Sequence, residues 1–527
     1  MSMTRRKNMV LRYIMCIISI IIIWEVSESY GYDLNDSLEI HGFISQGYLQ
    51  TDKGDYMVNT QGGTFDFQEI GINFSHNFTN DLHLGLQFIS RKLGDYGSQH
   101  SKIDWAYGDY RWRDFLGVRI GKIKTPFGLY NEIRDIDMLH TSILLPSSIY
   151  SEFWRETFNS IDGLGIYGYI PIDGLGDFHY QVVAGDIELP ENSGIITYIE
   201  RDKFIEVSHI ETKKTLAGSI MWNLPIEGLT IGTSVFFSEM EETALTTDSF
   251  LWGDLRLAMD THYQLPDQLS KTIFNKTANQ ELAHMLSNGF IDLLVPDDMK
   301  RLKNTWPKES YRDYHTLDFI ILSLKYQWRD LTLSAEHMDF KNNFKWYLVD
   351  HQVDLWEGKG PWHMVGYYLS GTYRLLDWFE IGAYYSVLYS NKADKEGDYF
   401  LTLNQRDSNT IPLDVRYQNV SETIREKFKL FANASFAQLA PGVTLSDEDV
   451  QNIQLIPDYE LKNFQFNNYC AWHKEFVISL RADINNHWTV KLEGHFMDGI
   501  TLMSYLEQPD NVTRRRFLFA SKVTFNF

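Results

Sequence analysis

The chain has 527 residues and a formal net charge of -22, and aromatic residues make up 15% of it. The acidic balance excludes non-specific nucleic-acid binding, which needs a positively charged surface. Two cysteines exclude a disulfide scaffold and a four-cysteine zinc site, and the 22% of charged residues excludes a helical membrane protein and a disordered chain.

The N-terminus predicts a secretory signal peptide. Several basic residues precede one apolar run at residues 13–24, and this run is shorter than the roughly 20 residues that a membrane helix needs. Small residues stand before Tyr32, as expected at a cleavage site. We therefore expect a signal peptide at 1–31 and a single barrel domain at 32–527, with an uncleaved anchor as the alternative.

The rest of the chain predicts β-strands with one apolar and one polar face. One example is the row of Leu82, Leu84, Leu86 and Phe88, which alternates with polar or small residues. The segments are about 9–11 residues long, which is enough for a tilted strand to cross a membrane. Many of them carry aromatic residues near their ends, as strands at membrane interfaces do.

Sixteen such segments are present, and an even number is typical of a closed antiparallel barrel. They lie near residues 38–50, 65–77, 82–91, 102–111, 115–124, 161–170, 176–185, 212–224, 229–237, 314–326, 331–338, 362–374, 379–389, 464–483, 488–497 and 514–527. We predict an all-β fold, a transmembrane antiparallel β-barrel of about 16 strands. Short turns alternate with long connections, which are expected at the periplasmic and extracellular faces respectively.

Two predicted extracellular loops are very long, at residues 238–313 and 390–463, and both are acidic. Their charge indicates either an acidic pore mouth or a solvated surface that binds divalent ions beside lipopolysaccharide. Apolar residues at helical spacing between 265 and 295 predict an amphipathic helix in the first of them. That helix would pack on a neighbouring loop or cover the pore mouth.

The last predicted strand ends on an aromatic residue. Phe517, Phe519, Val523, Phe525 and Phe527 share one face of this strand. The pattern resembles the C-terminal assembly signal of bacterial outer-membrane barrels. The resemblance implies that Phe527 is recognised by the barrel-assembly machinery of a Gram-negative cell outer membrane.

A second resemblance lies at the fifth strand, where residues 121–129 read GKIKTPFGL. This segment is similar to the one entering the third extracellular loop of phosphate-selective and dicarboxylate-type porins, which have sixteen strands. The resemblance implies a homotrimer and a third loop, here about residues 125–160, that folds into the barrel and narrows it. The two very long loops depart from the family pattern.

Charged residues around the third loop are the candidates for the pore constriction, because charges across a pore set its ion selectivity. The candidates are Arg119, Lys122, Lys124, Glu132, Arg134, Asp135 and Asp137. Strand alternation puts Lys122 on the apolar face with Val118 and Ile120, so it lies above the apolar band or a bulge re-aims it. An ordinary surface loop capped by these charges is the alternative.

These patterns predict a porin that passes ions and small hydrophilic solutes by passive diffusion. Basic and acidic residues are nearly balanced on the predicted polar faces, so the charge preference stays open. No catalytic motif or cofactor-binding motif is present, and the expected partners are solutes, outer-membrane lipid and lipopolysaccharide. Two rivals remain: an outer-membrane barrel hydrolase and a secreted soluble β-protein that binds glycans.

Overall fold

The fold is described by a computed structural model. It covers residues 38–57, 59–94, 101–189, 193, 196, 205–246, 265–283, 285–286, 310–350, 353–359, 362–405, 429, 433, 442–451, 467–501 and 513–527. The predicted signal peptide lies outside these residues, as do the larger parts of the two long loops.

Seventeen strands form one antiparallel sheet that closes on itself, because the last strand pairs with the first. The first nine are β1 Leu38–Thr51, β2 Thr64–Asn77, β3 Leu82–Leu93, β4 Lys102–Arg113, β5 Leu116–Lys124, β6 Ser160–Ile172, β7 Gly176–Asp186, β8 Ile205–Asn223 and β9 Leu229–Thr246. The others are β10 Ser310–Trp328, β11 Leu331–Asp350, β12 Val353–Lys359, β13 Trp362–Leu376, β14 Phe379–Tyr389, β15 Trp472–Asp483, β16 Trp488–Gly499 and β17 Arg515–Asn526.

Sixteen of these strands close the barrel, which confirms the predicted architecture. The exception is β12, which pairs with the outer part of β11 at residues 345–350, whereas β13 pairs with β11 directly at 331–342. β12 therefore extends the wall beyond the closed sheet and adds no strand to the barrel itself.

Side chains alternate between an apolar outer surface and a polar lumen. On β16, Leu492 and Phe496 point outward and are 42% and 53% exposed, whereas Lys491 and Glu493 point inward and are 0% and 2% exposed. An apolar outer face on a sheet without edges is the arrangement that a lipid bilayer requires, because no backbone polar group is left unbonded.

Several strands differ from their predicted bounds. β9 continues to Thr246 and β10 begins at Ser310, so both enter the segment predicted as a long loop, and β8 and β11 are longer than predicted too. The ladder hydrogen bonds simply continue past the apolar belt, where the sequence alternation no longer marks a strand. β15 starts later than predicted, after a 3-10 helix at Asn468–Ala471.

The helical segments are short and lie between strands. Among the described residues they include α1 Ser147–Tyr150, α2 Arg155–Asn159, α3 Leu265–Thr277, α4 Asp398–Gln405 and α5 Asp447–Gln451, with further 3-10 turns at Asn131–Ile133, Asp137–Leu139 and Glu152–Trp154. In the part of the chain that the structure describes, no helix has the length and apolarity that a membrane crossing demands. Lys276 of α3 contacts Asp449 of α5 at 2.5 Å, so the two long loops touch there.

The barrel closes where β1 meets the end of β17. The backbone groups of Gly42 and Phe527 exchange two hydrogen bonds of 3.0 Å. A β-carbon at Gly42 would lie 2.4 Å from Cζ of Phe527 and 2.8 Å from the carbonyl oxygen of Gly71. Glycine is therefore required here by the close approach of its neighbours.

Replacing Gly42 by valine should weaken this closure, by roughly 1–3 kcal/mol as overpacking typically costs. The measurement is the fraction of protein that migrates as a folded, heat-modifiable barrel after refolding. Gly62→Val is the matched control, because nothing lies within 4 Å of a β-carbon at that position. Equal folding of the two variants would contradict the assignment of Gly42 to the closure.

Candidate functional site

The third loop, residues 125–159 between β5 and β6, folds into the barrel. Thr125, Phe127, Tyr150 and Thr157 are each no more than 2% exposed. The loop reaches side chains on most strands of the barrel, including β2 on one side and β11 on the other. The lumen at this level is therefore shaped by contacts between loop three and the wall.

Two phenylalanines attach both ends of loop three to one side of the lumen. The rings of Phe127 and Phe158 stack with centroids 4.6 Å apart, and Phe158 packs edge-on against Phe236 and Phe319 at 4.9 and 4.8 Å. Phe319 stacks in turn on Phe340 at 3.9 Å. Strands β9 to β11 thus carry an apolar cluster on their inward face. This differs from the polar lining that a water-filled lumen would have.

The opposite side of the lumen holds a network of ion pairs. Lys124 at the end of β5 contacts Asp135 of loop three and lies 2.7 Å from Asp104 of β4. Arg155 links Asp135, at 2.5 Å, to Glu69 of β2, at 2.8 Å. Charges buried in this way are tolerated when they are paired and hydrogen-bonded, so these residues hold loop three and the wall together.

Arg91 of β3 continues the network. Its guanidinium lies 3.2 Å from Glu69 and also contacts Glu152 of loop three. Arg134 donates to Glu152 at 2.8 Å and to the carbonyl oxygen of Tyr150 at 2.6 Å. Burial would raise the pKa of the Glu152 carboxyl, but the neighbouring guanidinium groups, that of Arg134 first, lower it well below its ordinary value.

Asp137 connects loop three to both of the strands nearest the chain end. Its carboxylate lies 2.9 Å from Nζ of Lys491 and 3.1 Å from Nζ of Lys522, and it accepts a hydrogen bond of 2.7 Å from Thr524. Burial alone would raise the pKa of Asp137, but the ammonium groups of Lys491 and Lys522 hold it well below its ordinary value. Asp137 therefore stays ionised at neutral pH.

Three inward glutamates bind the loop through its backbone. Glu493 accepts from the amides of Ile143 and Leu144 at 3.1 and 3.0 Å, and Glu475 accepts from the amide and hydroxyl of Ser147 at 3.0 and 2.6 Å. Glu336 accepts from the amide of Leu129 at 2.9 Å. These bonds fix loop three at three separate points of the wall.

Two buried histidines accompany these glutamates. His495 bridges them, with Nδ1 3.3 Å from Glu475 and Nε2 3.1 Å from Glu493. His473 stacks on Tyr56, and its ring lies 3.8 Å from the Glu475 carboxylate. These side chains complete the wall against which residues 143–147 rest.

Two cavities among the described residues lie beside the middle of loop three. The larger, here called the vestibule, has a volume of about 360 Å³ and reaches the turn side, where it is lined by Gln327, Arg329 and Asp330. The smaller, here called the inner cavity, has about 20 Å³, room for about one water. His140, Ser142 and Leu145 line both, so this piece of loop three separates them.

The structure brings together four of the seven predicted constriction residues, Lys124, Arg134, Asp135 and Asp137, in the network just described. Arg119 and Glu132 lie apart from it. Arg119 is 2.9 Å from Asp109, and Gln181 donates to Glu132 at 3.0 Å. Burial raises the pKa of the Glu132 carboxyl, and the nearby Arg119 offsets this only in part.

Lys122 does not join the lumen. It pairs with Asp162 and Glu188 at 3.8 and 3.6 Å, on the outward row of β5 that also holds Val118 and Ile120. The sequence left two alternatives for Lys122, a position above the apolar band or a bulge that turns its side chain inward. The observed position corresponds to the first.

Sequence reasoning missed Glu152, Arg155, Tyr150 and the pair His473 and Glu475. The last two share the inward face of β15 with Ser479 and Arg481, so strand alternation offered a signal for them. The other three lie in an irregular loop, where no periodicity indicates which side chains meet the wall.

No protein-family model matches the chain, and no match was found among curated proteins. Solved structures are similar in fold. OmpT, an outer membrane protein of Vibrio cholerae, has a TM-score of 0.44 at 8% identity, over 94% of this chain and 100% of that one. OmpF of Salmonella typhi in complex with daunomycin has a TM-score of 0.45 at 10% identity, and the match covers 94% of this chain and 99% of that one. An anion-selective porin from Comamonas acidovorans has a TM-score of 0.40 at 8% identity, and the match covers 93% of this chain and 99% of that one.

The strand pairing and the apolar outer face decide what kind of protein this is. The sheet closes between β1 and β17, its outward rows are apolar, and its inward rows are polar or charged over most of the circumference. These are the properties of bacterial outer-membrane barrels. The chain is an outer-membrane β-barrel. Loop three is packed inside it.

Replacing Asp137 by asparagine should destabilise the barrel by about 3 kcal/mol, because Lys491 would keep a buried charge without its carboxylate partner, while Lys522 keeps Glu69. The measurement is unfolding in urea, together with the rate at which a protease cuts loop three. Asp66→Asn is the control, since Asp66 pairs with Lys92 at 2.7 Å but is 54% exposed. The control substitution should lower the free energy of unfolding by less than about 1 kcal/mol. An equal decrease in both variants would contradict the role of Asp137 in holding loop three to the wall.

His140 should make stability depend on pH. Burial, with a contribution from Lys491, lowers the pKa of its imidazole to about 4. An unfolded histidine takes up its proton near pH 6.5. Between these two values only the unfolded chain is protonated, so stability should fall as the pH is lowered, by roughly 3 kcal/mol at most.

The measurement is the urea midpoint between pH 7 and pH 4, compared between the natural chain and His140→Gln. Carboxylates contribute equally to both, so the difference isolates the histidine. A pH dependence that is the same in both chains would rule out this role for His140.

Proposed function

We propose that the chain is a porin through which ions and small hydrophilic solutes diffuse. The observation that carries this proposal is the vestibule, a cavity of about 360 Å³ that reaches the turn side and is lined mostly by polar and charged residues. The turn side of an outer-membrane barrel is its periplasmic end. A polar, hydrated opening into the barrel is what passive diffusion of hydrophilic solutes requires.

The contacts of loop three support a narrow route. The loop packs on an apolar cluster along β9 to β11, and beside His140, Ser142 and Leu145 the inner cavity has only about 20 Å³. A solute crossing the barrel would pass this point along the ion-pair network. We therefore propose a small single-channel conductance and exclusion of bulky solutes.

The charges of the vestibule support a weak preference for anions. Its lining includes four basic residues and two acidic ones, Lys325, Arg329, Arg374, Arg481, Asp330 and Glu380. Arg374 lies 2.8 Å from Glu380, and Arg481 lies 2.8 Å from Asp483, so these pairs largely cancel. Lys325, Arg329 and Asp330 remain, and together they leave an excess of one positive charge near the turn.

The proposal involves no covalent chemistry and no cofactor. Its partners are outer-membrane lipid and lipopolysaccharide, and the barrel-assembly machinery acting on the strand that ends at Phe527 in a Gram-negative cell. A homotrimer is proposed as well, on the resemblance at residues 121–129. Lys124 and Arg119 are poor probes of selectivity, because both are held in ion pairs with the wall.

Purified barrel inserted in a planar lipid bilayer should give stepwise conductance, and the reversal potential in a KCl gradient should indicate a slight excess of anion flux. Lys325→Glu should move this potential by several millivolts toward that of potassium, because it inverts a charge at the vestibule.

Arg113→Glu is the matched control. Arg113 is exposed at the turn between β4 and β5, away from the vestibule lining, and its replacement should leave the potential unchanged. Well-folded protein without conductance would refute the porin proposal. Equal shifts in the two variants would refute the route through the vestibule.

A further inference from the structure

Above the apolar belt, the inward face of β9 and β10 carries a group of ligand-type side chains. Glu242 and Asp313 stand directly opposite each other in the strand register, and they are 2% and 1% exposed. His315 follows two residues along β10 on the same face. One carboxylate oxygen from each acid and one ring nitrogen of the histidine all lie within 4.8 Å of one another.

The histidine lies close to one of the two acids. His315 Nε2 lies 3.1 Å from Oδ2 of Asp313. A divalent cation seated between the three groups would contact one oxygen of each carboxylate and the ring nitrogen at once.

A residue outside this group orients the imidazole. Asn342 of β11 is 4% exposed, and its Oδ1 and Nδ2 lie 3.3 and 3.0 Å from Nδ1 of His315. In the shorter contact Nδ2 donates to Nδ1, and Nε2 then carries the proton that faces Asp313. With the amide turned over, Nδ1 donates to Oδ1 and the lone pair of Nε2 becomes available to a metal. A histidine that binds a metal is typically held in this manner, through its second ring nitrogen.

We propose that Glu242, Asp313 and His315 bind a divalent transition-metal ion, zinc or one of similar chemistry. Two carboxylate oxygens and one imidazole nitrogen suit such an ion, whereas magnesium and calcium prefer oxygen ligands alone. β9 ends at Thr246 and β10 begins at Ser310. The ion would therefore join the two strands at the base of the long loop between them, a role separate from solute passage.

The test is zinc binding to the full barrel folded in detergent, measured by competition with a chromophoric chelator. We expect one site in the natural chain and at least a tenfold loss of affinity in His315→Gln. Cobalt should give a visible absorption band in the natural chain that His315→Gln lacks. Asn342→Leu, which leaves all three ligands in place, should weaken binding by about tenfold because the imidazole loses its orientation.

His363→Gln is the matched control, since His363 contacts a carboxylate, that of Asp339, at 2.6 Å on neighbouring strands. It should bind zinc as the natural chain does. Heat-modifiable migration verifies that each variant is folded, and Glu242→Gln replaces any variant that is not. No zinc binding by the natural chain, or equal binding in His315→Gln and His363→Gln, would overturn the proposal.

Discussion

The structure depends on one constraint, that no backbone amide or carbonyl can remain unbonded in lipid. The chain meets it by pairing each strand with its neighbour and the last strand with the first, through Gly42 and Phe527. Closure also determines which side chains are apolar and which are polar, because alternate residues must face the lipid and the lumen. Apolar outer rows are therefore unavoidable, and polar and charged residues collect inside.

Charges collected in a narrow lumen need partners, since burying an unpaired ion costs several kcal/mol. Loop three supplies many of them. Asp135, Asp137 and Glu152 meet cationic groups of the wall, and Arg155 meets Glu69. Each side of this network is destabilising without the other. The loop and the wall consequently form one structure, unlike a lid that rests on a finished barrel.

The barrel, its closure and most strands were predictable from the sequence, because alternation, turn residues and segment length all follow from closure. Strand ends beyond the apolar belt were not predictable from the sequence. β9, for example, continues where its outward residues become polar, at Glu239 and Glu241. Within the lumen, Lys124 and Asp137 were predicted as constriction residues because one directly precedes loop three and the other lies in it. Arg155 and Glu152 escaped notice because an irregular loop has no period, and only the fold decides which wall its side chains meet.

The lumen is divided between two kinds of packing, and this division restricts where water can run. Phe236, Phe319 and Phe340 occupy inward positions of adjacent strands and pack with Phe127 and Phe158 of loop three. Five buried rings exclude water from that side. The ion pairs and the inner cavity lie on the other side, whereas the vestibule extends from Lys325 of β10 to Arg481 of β15. Because the ends of loop three are held by apolar packing and its middle by charge, acid should act on the middle first, through the buried His140 next to the route itself.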